Sequence, residues 1–264
     1  MRPPNPPQPF AAPATVPDVI QAMAGFVTWC GASSSRLGFF AALYVRITKA
    51  VEEALERGTV FQDNGLMAQL DVTFANRYLT ALNGYLHPDL FPGISGCWLA
   101  AFTGAEVPGD TVVQHMLSGV AAHIGLDLGI ATQQVCGSLA NLQRFQGDFD
   151  QINTVLAQQV QSVLAEVDAV SPLLADLYLV LGKQEMALID DGLGGSRMAA
   201  WTLATTLAGQ PPAQQALTIA AQDALVAGLI PVLLNPPDPL EDVAQIVARQ
   251  ENQNIAQVIA DLLP

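Results

Sequence analysis

Residues 109–134, GDTVVQHMLSGVAAHIGLDLGIATQQ, have the spacing of a helix that packs into a core. Apolar residues recur in this stretch every three or four positions, which places them on one helical face. The residues of this face are Val113, Met116, Val120, Ile124, Leu128 and Ala131. We therefore predict a long amphipathic helix at the centre of the fold.

Two polar residues interrupt the apolar face of this central helix. His123 and Asp127 stand four positions apart, so their side chains are neighbours on one helical surface. At about 100° per residue, Asp127 falls inside the apolar arc and His123 falls at its edge. Burying a histidine and an aspartate costs free energy unless each has a partner. We therefore predict that the pair forms a polar centre in the core.

The composition requires a large apolar interior and argues against several classes of partner. Of the 264 residues, 51% are hydrophobic and only 13% are charged, which is typical of a chain with a sizeable core. The net charge is −14 and Lys and Arg form no cluster, which argues against nucleic acid and anionic membranes. Since no run of about 20 apolar residues occurs, we expect no membrane insertion.

The cysteines and the N-terminus predict where the protein resides. Cys30, Cys97 and Cys136 are scattered and show no CxxC spacing, so a disulfide scaffold is not expected. The first residues are rich in proline and lack the apolar segment of a signal peptide. A reducing cytoplasm is therefore the expected location.

Outside the central stretch the chain predicts further helices behind a Pro-rich tail. The tail, residues 1–15, is expected to be extended or disordered. Asp63 or Asn64 is expected to cap one helix, and Gly58 is expected to end another. Residues 136–150 are expected to be a connector in which Asp148 caps the next helix, and DDGLGG at residues 190–195 is expected to be a hinge. The other expected helices are residues 16–30, 34–57 with a serine cap at Ser34 or Ser35, 63–86, 148–170, 173–190, 197–208, 213–230 and 238–262. With strand signals nearly absent, the predicted fold is all-α, a single-domain bundle of about nine or ten helices over residues 16–264.

Four motifs resemble a known family. They are FQDNGLMAQLDVTFANRYLTAL (61–82), QHMLSGVAAHIGLDLGIA (114–131), FDQIN (149–153) and SRMAAWTLA (196–204). Their order is similar to that of the domain-of-unknown-function family numbered 5995, a set of helical bacterial proteins, over about residues 34–207. The resemblance implies an all-helical fold and gives weight to the central helix, but it implies no activity.

One run of the family is only partly kept in this chain. An Ala-His-Ile-Asn-His-Asp-Leu run of the family corresponds here to Ala122–Leu128. His123 and Asp127 are kept, whereas Gly125 replaces the Asn and Leu126 replaces the second His. A site that used both histidines would be altered here.

The His123–Asp127 pair allows three interpretations. It is a buried structural pair, or it supplies two ligands to one divalent metal ion, because side chains at i and i+4 converge. In the third interpretation, His123 is a general acid/base oriented by Asp127, with Asp71 and Arg77 facing the same cavity. The metal interpretation needs ligands from other helices, since the chain has only three histidines.

The favoured hypothesis is a cofactor-independent enzyme that acts on a hydrophobic small molecule, by a cyclisation or isomerisation. The His/Asp pair, with Asp71 and Arg77, would be catalytic in an apolar helical pocket. The expected pocket residues are Met116, Val120, Tyr78, Phe74, Trp98 and Trp201. The alternatives are a single-metal-dependent hydrolase that uses His123 and Asp127, and a non-catalytic protein that binds a ligand or oligomerises, for example as a homodimer.

Overall fold

The computed structural model describes residues 5–170, 184–238 and 240–263. These ranges are helical and contain no β-strand, so the predicted all-α fold is confirmed. The α-helices are α1 (Val16–Ser33), α2 (Leu37–Arg57), α3 (Asn64–Leu86), α4 (Gly96–Ala105), α5 (Val112–Ala122), α6 (Gly129–Cys136), α7 (Leu139–Val170), α8 (Gln184–Ala208), α9 (Pro212–Leu234), α10 (Leu240–Gln250) and α11 (Ile255–Leu262). A π-helical segment, His123–Leu128, joins α5 to α6.

Helices α1 and α3 each begin at a residue whose side chain caps the first turn. The Thr15 hydroxyl accepts the backbone N–H of Asp18, and the Asp18 carboxylate accepts the backbone N–H of Thr15. This reciprocal capping box satisfies two backbone donors at the start of α1. Asp63 caps α3 through its side chain, as predicted.

Helix α2 starts differently from the prediction. Its N-cap residue is Arg36, which makes no side-chain cap, so the predicted serine cap is wrong. Ser34 instead ends α1 in the left-handed conformation, with φ 52°. The end of α2 follows the prediction, because Gly58 adopts φ 68° at the C-cap.

The Pro-rich tail forms no regular secondary structure from residue 5 onwards and is hydrogen-bonded to the helices. Asn83 of α3 binds both backbone groups of Phe10, accepting its N–H at 2.8 Å and donating to its carbonyl at 2.9 Å. The His87 ring lies 2.7 Å from the carbonyl oxygen of Pro7. The tail therefore covers one side of α3.

The central stretch forms one rod from α5 through the π segment to α6. Thr111 and Gln114 form a capping box at its start. Two glycines let neighbouring helices approach the rod closely: a Cβ on Gly119 would overlap the Phe40 ring of α2. A Cβ on Gly129 would lie 2.7 Å from the Ala200 carbonyl oxygen of α8. The rod is thus enclosed by α2 and α8 at distances that a side chain would prevent.

Two apolar clusters meet at the rod. The first cluster is built mainly from α1 to α5, α9 and α11, and the rod contributes Leu126 and Ile130 to it. The second is built mainly from α2, α3, α7 and α8, and the rod contributes Leu128 and Ala131. The π segment therefore lies between both clusters, in the interior of the protein.

Helix α7 corrects one expectation about the middle of the chain. It is a single helix from Leu139 to Val170, and Asp148 lies inside it, so the predicted connector and the cap at Asp148 are wrong. The Asp148 carboxylate accepts the backbone N–H groups of Gln62 and Asp63, at 2.7 and 2.8 Å. Asp148 thus stabilises the start of α3, a tertiary contact that the local sequence does not show.

Two further expectations about the C-terminal half are wrong. The DDGLGG segment is helical throughout within α8, since glycine lowers helix propensity without forbidding a helix. The predicted last helix is divided into α10 and α11, because the Asn254 side chain caps a new start. Most of the helix predicted over residues 173–190 lies outside the described residues.

Helix α9 is the one described helix that is long and apolar enough to cross a membrane. Only 17% of its most apolar 18-residue stretch is buried inside the protein. It is nevertheless bound to the core, where Val226, Ile230 and Leu234 are buried. The Asp223 carboxylate also accepts the first backbone N–H groups of α4 from Gly96 and Cys97.

Candidate functional site

Asp127 is the centre of a buried hydrogen-bond network in the π segment. Its Oδ1 accepts the Arg77 Nε–H of α3 at 2.7 Å. Its Oδ2 accepts the Trp98 Nε1–H of α4 at 2.7 Å and lies 3.1 Å from His123 Nδ1. Three nitrogen donors from three elements thus converge on one carboxylate, which is 1% exposed. These hydrogen bonds compensate for the free-energy cost of burying the Asp127 carboxylate.

Arg77 supplies the positive charge that the buried carboxylate requires. Its side chain is 27% exposed, whereas that of Asp127 is 2% exposed, so the ion pair extends from the core to the protein surface. Arginine remains charged throughout the physiological pH range. Arg77 therefore points towards the core, as predicted, and meets Asp127 through its Nε.

His123 is fixed by Asp127 in one orientation. The bond to a carboxylate makes Nδ1 the protonated nitrogen, which leaves a lone pair on Nε2. Nε2 is buried and has no hydrogen-bond partner among the described residues. Burial lowers the pKa of His123 below its ordinary value, and the bond to Asp127 opposes this shift. The ring is therefore neutral near pH 7, with a basic nitrogen facing the interior.

An aromatic shell surrounds the His123 ring. The Phe74 ring stacks on it with 3.5 Å between centroids and 6° between planes. The Tyr44 ring meets it edge-on at 4.9 Å. Phe40, Tyr78 and Trp98 complete the shell at centroid distances of 6.0, 5.8 and 5.7 Å. The surroundings of Nε2 are thus mainly aromatic.

His123 and Asp127 lie on a π turn, which interrupts the regular α-helix of the rod. A π turn is rare and recurs at functional sites, because it costs stability relative to an α turn. Here the Gln222 side chain of α9 donates to the carbonyl oxygen of Gly125 at 2.8 Å. A Cβ on Gly125 would lie 3.0 Å from Val226, so this position has little room for the Asn of the related run. Neither the π turn nor the contact from Gln222 was predicted from the sequence.

Asp71 is not part of the network around Asp127. It is buried and its Oδ2 has no hydrogen-bond partner in the described part of the chain. Burial, and to a smaller extent Glu52, raises the pKa of Asp71 to about 7. Asp71 is close enough to raise the pKa of Tyr44, a member of the aromatic shell, but it makes no bond to His123.

The predicted pocket residues divide between the two clusters. Phe74, Tyr78 and Trp98 surround His123, as described above. Met116 and Val120 pack in the first cluster, whereas Trp201 lies in the second, with its ring 4.8 Å from that of Phe149. Trp201 is thus not brought together with the other aromatic residues.

Two shell residues escaped the sequence analysis. Phe40 and Tyr44 belong to the apolar stripe of α2, and their rings stack at 5.9 Å. Their spacing in the sequence does not distinguish residues that pack on His123 from other core residues, because both kinds lie on the inward face of the helix. Only the packing of α2 on the rod identifies them.

A second histidine lies beside the shell. His115 is 3% exposed, and neither of its ring nitrogens has a partner among the described residues. It lines a cavity of about 10 Å³ together with Tyr78, Trp98, Ser118 and Arg36. Burial, and then Arg36, lowers the pKa of His115 to about 4. A space of this size accommodates one water molecule at most.

The geometry also bears on metal binding. In the described residues, no group of three His, Cys, Asp or Glu side chains is placed to hold a metal ion. His123 Nδ1 and the two Asp127 oxygens are used within the network and do not converge on an open point. Only His123 Nε2 remains to ligate an ion, with the carboxylate behind it.

A larger cleft lies at the surface, away from the network. Its volume is about 540 Å³, and polar residues of α10 and of the turn after it form one wall. Asp110 lies in this cleft, and burial followed by Glu241 raises its pKa to about 6. Arg36 lines both this cleft and the small cavity at His115.

Fold and site together define an all-α protein with a buried His–Asp–Arg centre on a π turn. The chain belongs to the family described as "Family of unknown function (DUF5995)", which matches residues 16–236. The match confirms the resemblance and extends it to α1 and α9. It contains every residue of the network and ends before α10. No curated protein and no solved structure matches the chain.

Proposed function

We propose that the protein is an enzyme in which His123 transfers protons to and from an apolar small molecule. The observation that carries the proposal is the state of His123. Its Nδ1 is fixed on Asp127, while its Nε2 is buried without a partner among the described residues. A neutral imidazole with one bonded and one free nitrogen suits a general acid/base.

Asp127 has two roles in this proposal. It holds His123 in the Nδ1–H tautomer, and it stabilises the imidazolium that forms when Nε2 takes a proton. Arg77 and Trp98 hold the carboxylate in place through their bonds of 2.7 Å. They are positioning residues, since they act on His123 only through Asp127.

The aromatic shell supports an apolar substrate. A substrate that reaches Nε2 must replace part of the contacts made by Phe74, Tyr44 and their neighbours, which favours a hydrophobic body. Phe74 is half-buried and covers one face of His123, and Arg77 lies one turn further along α3. Phe74 is the half-buried member of the shell, whereas the other four rings are buried, so we place the entrance there.

The reaction class that follows is an isomerisation or cyclisation begun by proton transfer. His123 Nε2 takes a proton from a C–H bond next to a carbonyl group, whose electron pair shifts towards the carbonyl oxygen. The imidazolium exchanges its proton with solvent and then donates a proton to another atom of the substrate, so the net reaction is redox-neutral and the enzyme needs no oxidant. We propose no organic cofactor for this chemistry, and we place the protein in the reducing cytoplasm, where its three free cysteines stay reduced.

The two alternatives have less support. A single-metal hydrolase needs ligands besides His123, and Asp127 is already bonded to three donors. A protein that only binds a ligand does not require a carboxylate bonded to the histidine. A purely structural His–Asp pair would use the same bond between His123 and Asp127.

The test measures proton transfer without knowledge of the final product. The protein is incubated in D₂O with a set of apolar ketones and enones, and deuterium incorporation is followed by mass spectrometry. We expect incorporation with the wild type and a loss of about 10²–10⁴-fold in His123→Gln, the usual range for a general acid/base. Phe74→Leu serves as a control that alters the entrance and should change KM more than kcat.

Two outcomes would refute the proposal. One is exchange that persists at the wild-type rate in His123→Gln. The other is a compound that binds, as shown by a raised Tm, without exchange in any variant, which identifies a binding protein.

A further inference from the structure

The outer face of α9 is apolar from Ala216 to Val232, and its exposed polar residue, Gln214, lies in the first turn. Four large side chains on it are exposed by 73% (Leu217), 58% (Leu225), 52% (Leu229) and 53% (Val232). Six small residues of α9 are exposed beside them, namely Ala213, Ala216, Ala220, Ala221, Ala224 and Gly228, and Pro231 is exposed as well. We call the four large and six small residues together the α9 face. An apolar patch of this extent marks a contact surface in a soluble protein.

No charged side chain belongs to the α9 face. The one charged residue of α9 is Asp223, and its carboxylate is bound to the start of α4. The protein carries a net charge of −14, so two copies repel each other wherever their acidic residues meet. Two copies that meet through a face without charges therefore experience the least electrostatic repulsion.

The dimensions of the face fit a self-association contact. A helix of 23 residues is about 35 Å long, and one side of it presents about 600 Å². Specific interfaces begin near this area per partner and average about 800 Å². Rotational symmetry allows the same face to serve both copies, so one helix is sufficient for an isologous contact.

Small residues let two such helices approach closely. Ala220, Ala224 and Gly228 recur every four positions, and a Cβ on Gly228 would meet nothing within 4 Å. Small residues at this spacing let backbones pack at short distance, with the flanking leucines in contact around them.

A membrane surface fits the face less well. Helices that lie on membranes carry Lys or Arg beside their apolar side, and α9 contains neither. The acidic protein is also repelled by anionic lipid headgroups.

We propose that the α9 face is the contact of a homodimer, in which α9 of one copy packs on α9 of a second. This proposal is independent of the chemistry at His123. It predicts a species of twice 27.8 kDa in solution.

Sedimentation of the full-length protein tests the proposal. Leu225→Lys places two like charges in the contact, and we expect the dimer dissociation constant to rise at least tenfold. Met198→Lys is the matched control, because Met198 is 71% exposed on α8 and lies outside the α9 face, and it should leave the dimer intact. Circular dichroism and Tm verify that both variants fold.

Cross-linking gives an independent measurement. The three native cysteines are buried, so Ala224→Cys introduces the one accessible thiol. An oxidant should convert this variant to a disulfide-linked dimer and leave Met198→Cys mostly monomeric. Raising the salt concentration should strengthen the dimer by screening repulsion.

Three results would overturn the proposal. The first is a wild type that stays monomeric at about 100 μM protein, far above the dissociation constants of about 1 μM or less that are usual for specific contacts. The second is a Leu225→Lys dimer as stable as that of the wild type. The third is flotation of the wild type with neutral phosphatidylcholine vesicles that Leu225→Lys abolishes.

Discussion

Replacing Asp127 by Asn tests whether the buried network holds α3, α4 and the rod together. Asparagine keeps the shape of the side chain but removes its charge and one acceptor oxygen. Its NH₂ group then faces either Arg77 or the pair formed by Trp98 and His123, all of which are nitrogen groups in the wild type. At least one donor loses its bond, and Arg77 loses its counter-ion.

The expected loss of stability follows from the burial of the pair. Breaking a buried ion pair by removing one partner costs about 3–5 kcal/mol. The Arg77 side chain is 27% exposed, so water compensates for part of this loss. We expect a decrease of about 3 kcal/mol in the free energy of unfolding, which lowers Tm by about 6–12 °C for a chain of this length.

Urea titration and calorimetry measure the loss. Asp89→Asn is the matched control, because Asp89 is exposed, and it should stay within about 0.5 kcal/mol of the wild type. A double-mutant cycle with Arg77→Gln should give a coupling free energy above about 1 kcal/mol. A loss below about 1 kcal/mol in Asp127→Asn, or the absence of coupling, would refute the role assigned to the network.

Two further predictions concern buried groups near the site. Burial raises the pKa of Asp71 from 3.8 to about 7, so the folded state binds more protons than the unfolded state between these values and stability falls as the pH rises through this window. Asp71→Asn should therefore stabilise the protein by about 2 kcal/mol at pH 8, with a gain that shrinks towards pH 4 in urea titrations; a loss of stability at pH 8 would contradict the argument. Gly119→Ala should destabilise by about 1–3 kcal/mol, because its Cβ overlaps the Phe40 ring, whereas Gly25→Ala in α1, with open space around its Cβ, should stabilise by about 0.5–1 kcal/mol in the same assay.

Most helices follow from the local sequence. Asp63 and Gly58 marked helix ends correctly. The apolar spacing predicted that the central rod is helical but not which side of it is buried. Val113, Val120 and Ile124 of the predicted face are half-buried, whereas several apolar rod residues outside that face are buried. Two other local signals were misleading. Asp148 binds the start of α3 from within α7, and the glycines of DDGLGG are carried inside α8.

The site was predictable only in part. The spacing of His123 and Asp127 predicted that they would be neighbours, and the cost of burial predicted that Asp127 would need a partner. Arg77 was expected to point inwards. Trp98 as a donor to Asp127 and the bond from Gln222 to Gly125 depend on how α4 and α9 pack.

The sequence by itself determined the all-α fold and the need for a polar centre on the central rod. These properties depend on spacing along one helix, which the chain carries locally. Only the tertiary structure decided that the pair lies on a π turn, that Phe40 and Tyr44 enclose it, and that Asp71 stays outside the network. Such properties depend on the distances between helices far apart in the chain, and no local pattern records those distances.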